Sequence, residues 1–127
     1  MQNTTRRVVY PTHVLSWRQA HVWEPPTDVF ETENELVVKV EVAGMRDGDF
    51  QVSLEDRRLT VSGARGQGGR QRRAYYQMEV HSGEFFIEVE LPVAIDPATV
   101  RADYDDGFLR ITMSKAPVVR VVIREVE

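Results

Sequence analysis

The sequence ADYDDGFLRITMSK, residues Ala102 to Lys115, contains two short runs of alternating apolar residues joined by a turn. Asp105-Asp106-Gly107 supplies the turn, because an Asp-Gly pair between alternating runs is what two-residue β-hairpins favour. In the second run, Leu109, Ile111 and Met113 share one face, since side chains alternate between the two faces of a strand. The stretch therefore predicts a β-hairpin with one buried face.

The same two-residue period recurs upstream in further runs. Their inward-facing apolar residues are Leu36, Val38, Val40 and Val42, then Phe50, Val52 and Leu54, then Leu59 and Val61, then Phe85, Ile87, Val89 and Leu91. Turn-forming residues separate the runs at Gly44 to Gly48 and at Asp56-Arg57. Short strands between turns, with no sustained 3.6-residue period, predict an all-β domain built as an antiparallel immunoglobulin-like β-sandwich.

The chain divides into an arm, a domain and a tail. Residues 1–24 are predicted to form a flexible N-terminal arm, because their apolar residues have no clean period and Pro25-Pro26 ends the segment. Residues 25–115 form the sandwich, and residues 116–127 form a C-terminal tail. In an extended tail Val119, Val121 and Ile123 lie on one side, and that row must be buried against something other than the tail.

Length, charge and composition exclude several classes of protein. A chain of 127 residues suits one domain, and a net charge of −4 argues against the positive field that general nucleic-acid binding needs. No apolar run has the length of a membrane span, and no apolar signal segment follows Met1, so we expect a cytoplasmic protein with no membrane partner. The absence of cysteine excludes disulfides, thiol catalysis and thiolate metal ligands.

The candidate catalytic and metal-binding side chains form no recognisable motif. His13, His21 and His81 lack the spacing of a metal site with a carboxylate partner. The acidic pair Asp105-Asp106 falls in a turn, where short side chains bond their own backbone. We therefore expect no enzyme activity, no cofactor and no metal site.

The longest irregular segment lies between Gly63 and Gly83. A loop of this length inside a compact domain is usually functional. Residues 64–73 are rich in glycine and arginine, which favours a flexible hairpin loop over the weaker alternative of an RNA contact. Residues 75–80 are strand-forming, with alternate apolar side chains on one face.

Several motifs, in this order along the chain, resemble those of the small heat-shock proteins, the α-crystallin or Hsp20 family. The pattern A-x-x-x-(D/N)-G-x-L, formed here by Ala102, Gly107 and Leu109, resembles the family signature. Val121 and Ile123 resemble its I/V-x-I/V anchor. Further matches are Trp23 to Asp28, Val42 to Met45, Gly83 to Phe86 and Leu91-Pro92.

The resemblance implies an α-crystallin domain and three kinds of contact. A dimer strand that crosses to the first strand of a neighbouring subunit is expected at Tyr75, Tyr76, Met78 and Val80. An oligomer anchor is expected at Val119, Val121 and Ile123, and the groove that receives it on another subunit at Val52, Leu54, Val100 and Ala102. A client-binding arm is expected at Val8, Val9, Tyr10, Val14, Leu15, Trp17 and Trp23.

The sequence departs from the family in its late strand. The family commonly carries arginine there, whereas this chain has Ile87-Glu88-Val89-Glu90. The ionic contact of a dimer is then expected with its charges inverted, so that loop arginine meets strand glutamate. Two further alternatives stay open: the tail as an extra edge strand of its own domain, and the arm as subunit packing alone.

The leading functional hypothesis is an ATP-independent holdase chaperone. It binds partly unfolded proteins, prevents their aggregation, and assembles into homo-oligomers of strand-exchanged dimers. The alternative is a non-enzymatic β-sandwich adaptor or co-chaperone domain that acts as a monomer and does not need its tail.

Overall fold

Seven β-strands form two antiparallel sheets in this computed structural model, which describes residues 22–46, 49–66, 72–117 and 120–126. The strands are β1 Thr27–Glu31, β2 Glu35–Glu41, β3 Phe50–Glu55, β4 Arg58–Arg65, β5 Gly83–Glu90, β6 Arg101–Asp105 and β7 Phe108–Ser114. One sheet has the order β1-β2-β7-β6 and the other β3-β4-β5. The described residues contain no α-helix. The predicted all-β class and antiparallel sandwich are confirmed.

The hairpin predicted within residues Ala102 to Lys115 joins β6 to β7. Asp105 pairs with Phe108, so the turn consists of two residues only. Both of them, Asp106 at φ 53° and Gly107 at φ 85°, occupy the left-handed region that a type I′ hairpin turn requires. Aspartate tolerates that region better than most residues and glycine does so without steric cost, which is why this pair specifies the turn.

The core lies between the two sheets and is built from the residues that the two-residue period places inward. Its fully buried side chains are Leu36, Val38, Val40, Val42, Leu59, Val61, Phe85, Ile87, Leu91, Leu109, Ile111 and Met113. Gly63 lies where β4 passes closest to Phe85. A Cβ at this position would come within 2.7 Å of the Phe85 ring and 2.6 Å of the Asp49 carbonyl oxygen, so only glycine fits.

Two polar contacts fix the connections at the ends of the strands. The Tyr104 hydroxyl donates to the Val42 carbonyl at 2.8 Å and accepts from the Met45 amide at 3.3 Å, which ties the β2–β3 connection to β6. Asp96 caps a 3-10 turn, Pro97–Thr99, by accepting from the Ala98 amide at 3.1 Å. This turn leads directly into β6.

Several predicted site residues lie outside the described part of the chain. They are Val8, Val9, Tyr10, Val14, Leu15 and Trp17 of the arm and Val119 of the tail. The described residues 72–82 and 120–126 contain no strand.

Candidate functional site

Large apolar side chains are exposed in three segments of the described chain. These segments are β1, residues 75–80 and the tail. The exposed residues are Val29, Phe30, Tyr75, Tyr76, Met78, Val80, Val121, Val122, Ile123 and Val126. Because the sandwich completes its own core without them, these side chains are available for contacts with other molecules.

Strand β1 has a free edge. Among the described strands it pairs only with β2, and the Thr32 amide donates to the Glu35 carbonyl at 2.8 Å. Thr32 and Glu35 continue the register of β1 with β2, so this bond shows that the even-numbered residues of β1 direct their backbone N–H and C=O groups toward β2. Successive residues direct their backbone groups to opposite sides, so Val29 and Glu31 direct N–H and C=O away from β2. The edge therefore offers backbone hydrogen bonds beside the exposed side chains of Val29 and Phe30.

The large apolar side chains of residues 75–80 are exposed to solvent. Tyr76 is fully exposed, and Tyr75, Met78 and Val80 are at least half exposed. Their backbone forms no strand within one chain. The dimer-strand assignment of these four residues stays a prediction, because pairing with a second chain is not represented in a single chain.

The predicted groove lies between two further free edges, β3 and β6. The ring centroids of Phe50 in β3 and Tyr104 in β6 are 5.1 Å apart, so the two edge strands lie on the same side of the sandwich. In the registers of β3 with β4 and of β6 with β7, the N–H and C=O groups of Val52, Leu54 and Ala102 point away from the paired strand, in the plane of the sheet.

The side chains of the predicted groove are largely part of the core. Val52 and Val100 are 4% exposed and Ala102 is 8% exposed, whereas Leu54 is half-buried. Val100 directly precedes β6, whereas Ala102 lies in it. An incoming side chain would thus meet a shallow apolar floor flanked by unpaired backbone groups. The groove assignment itself stays a prediction.

The tail leaves the sandwich at a fixed point. The Ala116 amide donates to the Ala94 carbonyl at 2.9 Å, and the Lys115 ammonium contacts the Glu31 carboxylate at 3.0 Å. Beyond this point the described residues 120–126 are all exposed, with Val121 at 82% and Ile123 at 91%. Val121 and Ile123 do not pack on their own domain, and the anchor assignment stays a prediction.

Trp23 is the one predicted arm residue that the structure describes, and it is not the exposed side chain that the sequence predicts. Its ring packs edge-on against Phe85 with centroids 5.5 Å apart, and its Nε1 donates to the Gly83 carbonyl at 3.2 Å. Its backbone forms an isolated parallel bridge to Phe85, because its amide donates to the Glu84 carbonyl and its carbonyl accepts from the Phe86 amide. Trp23 therefore covers part of the β5 edge.

Arg65 holds Trp23 and the segment before β5 in place. Its guanidinium donates twice to the His81 carbonyl and once to the Ala43 carbonyl, and it lies 4.4 Å from the centroid of the Trp23 ring. The His81 ring stacks on Trp23 with centroids 5.4 Å apart. The sequence predicted that Arg65 lies in the flexible hairpin loop of residues 64–73, with RNA contact as the weaker alternative and with loop arginine meeting a partner's strand glutamate in a dimer. No local sequence pattern marks this internal role, because it depends on contacts with the distant carbonyls of Ala43 and His81.

The ion pairs of the described residues lie within the chain. Arg58 contacts Glu88 at 2.9 Å, and Arg101 contacts Glu35 at 2.8 Å. Glu88 is one of the strand glutamates for which a contact with a partner's arginine was expected, and within one chain it is paired across β4 and β5. The inverted ionic contact stays a prediction.

The described residues offer neither a metal-binding cluster nor a membrane-spanning helix. No cluster of three histidine, cysteine or acidic side chains with metal-binding geometry is present there. The same residues include no helix of sufficient length and apolarity to traverse a lipid bilayer.

Comparison with known proteins identifies one family. The sequence model of the Hsp20/alpha crystallin family matches residues 28–126. Small heat shock protein C4 of Rickettsia felis is 30% identical over 107 residues, which cover 84% of this chain and 63% of that protein. The 19.0 kDa class II heat shock protein of Oryza sativa subsp. japonica is 36% identical over 121 residues, covering 88% of this chain and 69% of that protein.

The fold is also that of solved small heat-shock proteins. The crystal structure of a small heat-shock protein from Xylella fastidiosa superposes with a TM-score of 0.69 at 23% identity, covering 83% of this chain and 97% of that one. The chain spans about three fifths of the length of the first curated relatives it matches.

Replacing Arg65 by Met is expected to lower the free energy of unfolding by about 1–3 kcal/mol, because three backbone carbonyl contacts and the contact with Trp23 are lost. Arg58→Met is the matched control on the same strand. Its ion pair has side chains 62% and 44% exposed, so its loss should cost under about 1 kcal/mol. Urea unfolding of the three proteins measures both effects, and equal losses would contradict the role assigned to Arg65.

Proposed function

The chain belongs to the Hsp20/alpha crystallin family, and on that premise we propose that it is an ATP-independent holdase chaperone that assembles through its own free edges and tails. It binds partly unfolded proteins through exposed apolar residues and keeps them from aggregating. No nucleotide chemistry is required, because binding to exposed apolar segments is enough to compete with aggregation.

One observation carries this proposal: the exposed large apolar residues are concentrated on the edge strand β1 and on two segments outside the two sheets. The core of the domain is complete, yet whole rows of apolar side chains stand on β1, on residues 75–80 and on the tail. A solitary monomer rarely displays so much apolar surface without a partner. Partly unfolded proteins offer the matching chemistry, since they expose apolar side chains and unpaired strands.

The dimer of the proposal is made by strand exchange. Residues 75–80 of one subunit pair with the free edge of β1 in the other, and the exchange is reciprocal. The outward N–H and C=O groups of Val29 and Glu31 form hydrogen bonds with the backbone of the incoming segment. The side chains of Val29 and Phe30 are buried against the incoming Tyr75, Tyr76, Met78 and Val80. Backbone pairing and apolar burial carry this contact, because exposed ion pairs add only about 0–1 kcal/mol each.

The larger assembly of the proposal is made by the tail. Val121 and Ile123 dock between β3 and β6 of another dimer, where the outward backbone groups of Val52, Leu54 and Ala102 allow the tail to add as an extra strand. Their alternate side chains cover the shallow apolar floor of the groove. Heat loosens such contacts and increases the apolar surface that is available to clients.

A monomeric adaptor is the alternative function. It accounts for the sandwich equally well, and it requires that the exposed rows have no role in self-association. The first experiments below separate the two functions, because the adaptor predicts a monomer whose tail is dispensable.

We expect the purified full chain to suppress the heat-induced aggregation of a model client such as citrate synthase without ATP. Light scattering of the client with increasing amounts of the chain measures the effect, and ovalbumin at the same mass is the control. Scattering that stays unchanged at every ratio would exclude the holdase function.

The double substitution Val121→Ala and Ile123→Ala is expected to reduce the assembly to dimers. Val122→Ala with Val126→Ala is the matched control, because these residues lie in the same tail with similar exposure, 86% and 89%. Native mass spectrometry reads the masses directly. Retention of the parent mass by the first variant, or equal loss in both, would contradict the anchor.

In the background of Val121→Ala and Ile123→Ala, Val29→Pro is expected to convert the dimer to a monomer, since it removes an outward N–H at the β1 edge and leaves the bonds to β2 in place. Val29→Thr keeps the donor and the branched shape and should remain dimeric. Light scattering after size exclusion, with circular dichroism to check folding, tests both. A folded, dimeric Val29→Pro protein would rule out pairing at this edge.

A further inference from the structure

The free edge of β6 carries charges in a fixed order. Arg101, Asp103 and Asp105 are exposed, and they alternate with Ala102 and Tyr104, which face the core. Because β6 is the last strand of its sheet, these charges border any strand that is added there. The row begins with a cation and continues with two anions. An incoming strand therefore meets a charge pattern along β6 as well as an apolar floor.

The described tail has a second face, which the proposed anchor does not use. Val121 and Ile123 alternate with Arg120, Val122 and Arg124, and all five side chains are exposed. When the anchor residues of an extended tail cover the groove, the two arginines point to the opposite face, because successive side chains alternate. Between described residues, no ion pair involves either arginine. The arginines are thus available to the charges of β6.

Sheet geometry limits how this tail lies along β6. Residues directly opposite each other share a face, so Val121 or Ile123 lies opposite Ala102, with the tail running either antiparallel or parallel to β6. In one register of each direction, a tail arginine lies opposite Asp103. In the other register of each direction, a tail arginine lies opposite Arg101, and like charges directly opposed across strands are destabilising. The charge order of β6 therefore leaves one favourable register in each direction.

We infer that Asp103 selects the register of the docked tail, and that its partner is Arg120 in the tail of another copy of this chain. The antiparallel register is the one we assign, because antiparallel pairing is slightly more stable per residue than parallel pairing. Val121 then lies opposite Ala102, whose outward N–H and C=O groups form hydrogen bonds with it. The inference rests on the proposed docking of the tail and adds the residues that determine how the tail lies.

The pair acts on specificity more than on affinity. An exposed ion pair adds little to the strength of docking, but charge patterns exclude wrong arrangements. An antiparallel tail shifted by two residues brings Arg124 against Arg101, and a parallel tail with Val121 in the same place brings Arg120 against it. Tails that dock in one register hold neighbouring dimers at one distance and one angle. This favours an assembly of a single size.

Carbodiimide crosslinking tests the pair, because it joins an amine to a carboxylate only when the two are in contact. Arg120→Lys keeps the positive charge and supplies the amine, and Arg124→Lys is the matched control in the same tail. Each full-length variant is mixed with an isotope-labelled copy of itself, so that mass spectrometry recognises links between copies. Position 120 is expected to link to Asp103 of another copy. Position 124 is not, because it lies about 14 Å further along β6 in the assigned register.

Each crosslinking result decides the inference. A link from position 120 that is lost in Asp103→Asn supports it. Absence of that link, a link from position 120 mainly to Asp105, or a link from position 124 to Asp103 overturns it, since these results mean no docking beside β6, a shifted register or a parallel tail. The anchor and the holdase function are tested separately, by the tail variant above and by client aggregation, so their failure is distinguishable from this one.

Asp103→Arg supplies a second test, because it opposes arginine to a tail arginine in every one of these registers. The concentration at which half of the assembly has dissociated to dimers, read by native mass spectrometry, is expected to rise at least about fivefold. Glu41→Arg makes the same charge change on the same sheet face, away from β6, and should keep the parent value. Circular dichroism checks that both variants fold. Equal midpoints in all three proteins would overturn the inference.

Discussion

Unpaired backbone groups along the strand edges are the constraint on which the rest of this molecule depends. Two sheets of four and three strands enclose a complete core, but an open sandwich has edges, and each edge must bond to water, to a cover or to another strand. The edge of β5 is covered in part by Trp23 of the same chain. The edges of β1, β3 and β6 have no such cover among the described residues, and they are the places where the proposed contacts between subunits occur.

The fold was predictable because its determinants are local. The Asp106-Gly107 turn dictates a hairpin whatever surrounds it, and a strict alternation such as Leu36, Val38, Val40 can bury one face only as a strand. The approximate strand positions and the sandwich therefore followed from the sequence. The sequence pattern did not predict the pairing of β1 outside β2, because Val29 and Phe30 are adjacent apolar residues on opposite faces of an edge strand.

The candidate site was predictable only where residues act through exposure. Tyr76, Met78, Val121 and Ile123 are unprotected in one chain, as expected of segments that have no partner strand within it. The roles of Trp23 and Arg65 were missed, because they depend on contacts between residues 16 to 60 positions apart. No local pattern distinguishes an arginine that binds its own backbone from one that reaches a partner. Residues 75–80 show the opposite case: their sequence favours a strand, but they form none within one chain, because a strand needs another edge to bond to.

The energetics of the tail imply that the proposed assembly is cooperative. Burial of Val121 and Ile123 contributes about 1.5–3 kcal/mol each at most, and the groove floor of Val52, Val100 and Ala102 is shallow. Association of two bodies costs about 4–15 kcal/mol in lost translational and rotational freedom. One tail therefore binds weakly, and a stable assembly needs several tails to act together on dimers, because each tail after the first docks at a high effective concentration. The proposed assembly would dissociate in steps as individual contacts weaken with heat, and this stepwise release is what the proposed holdase function requires.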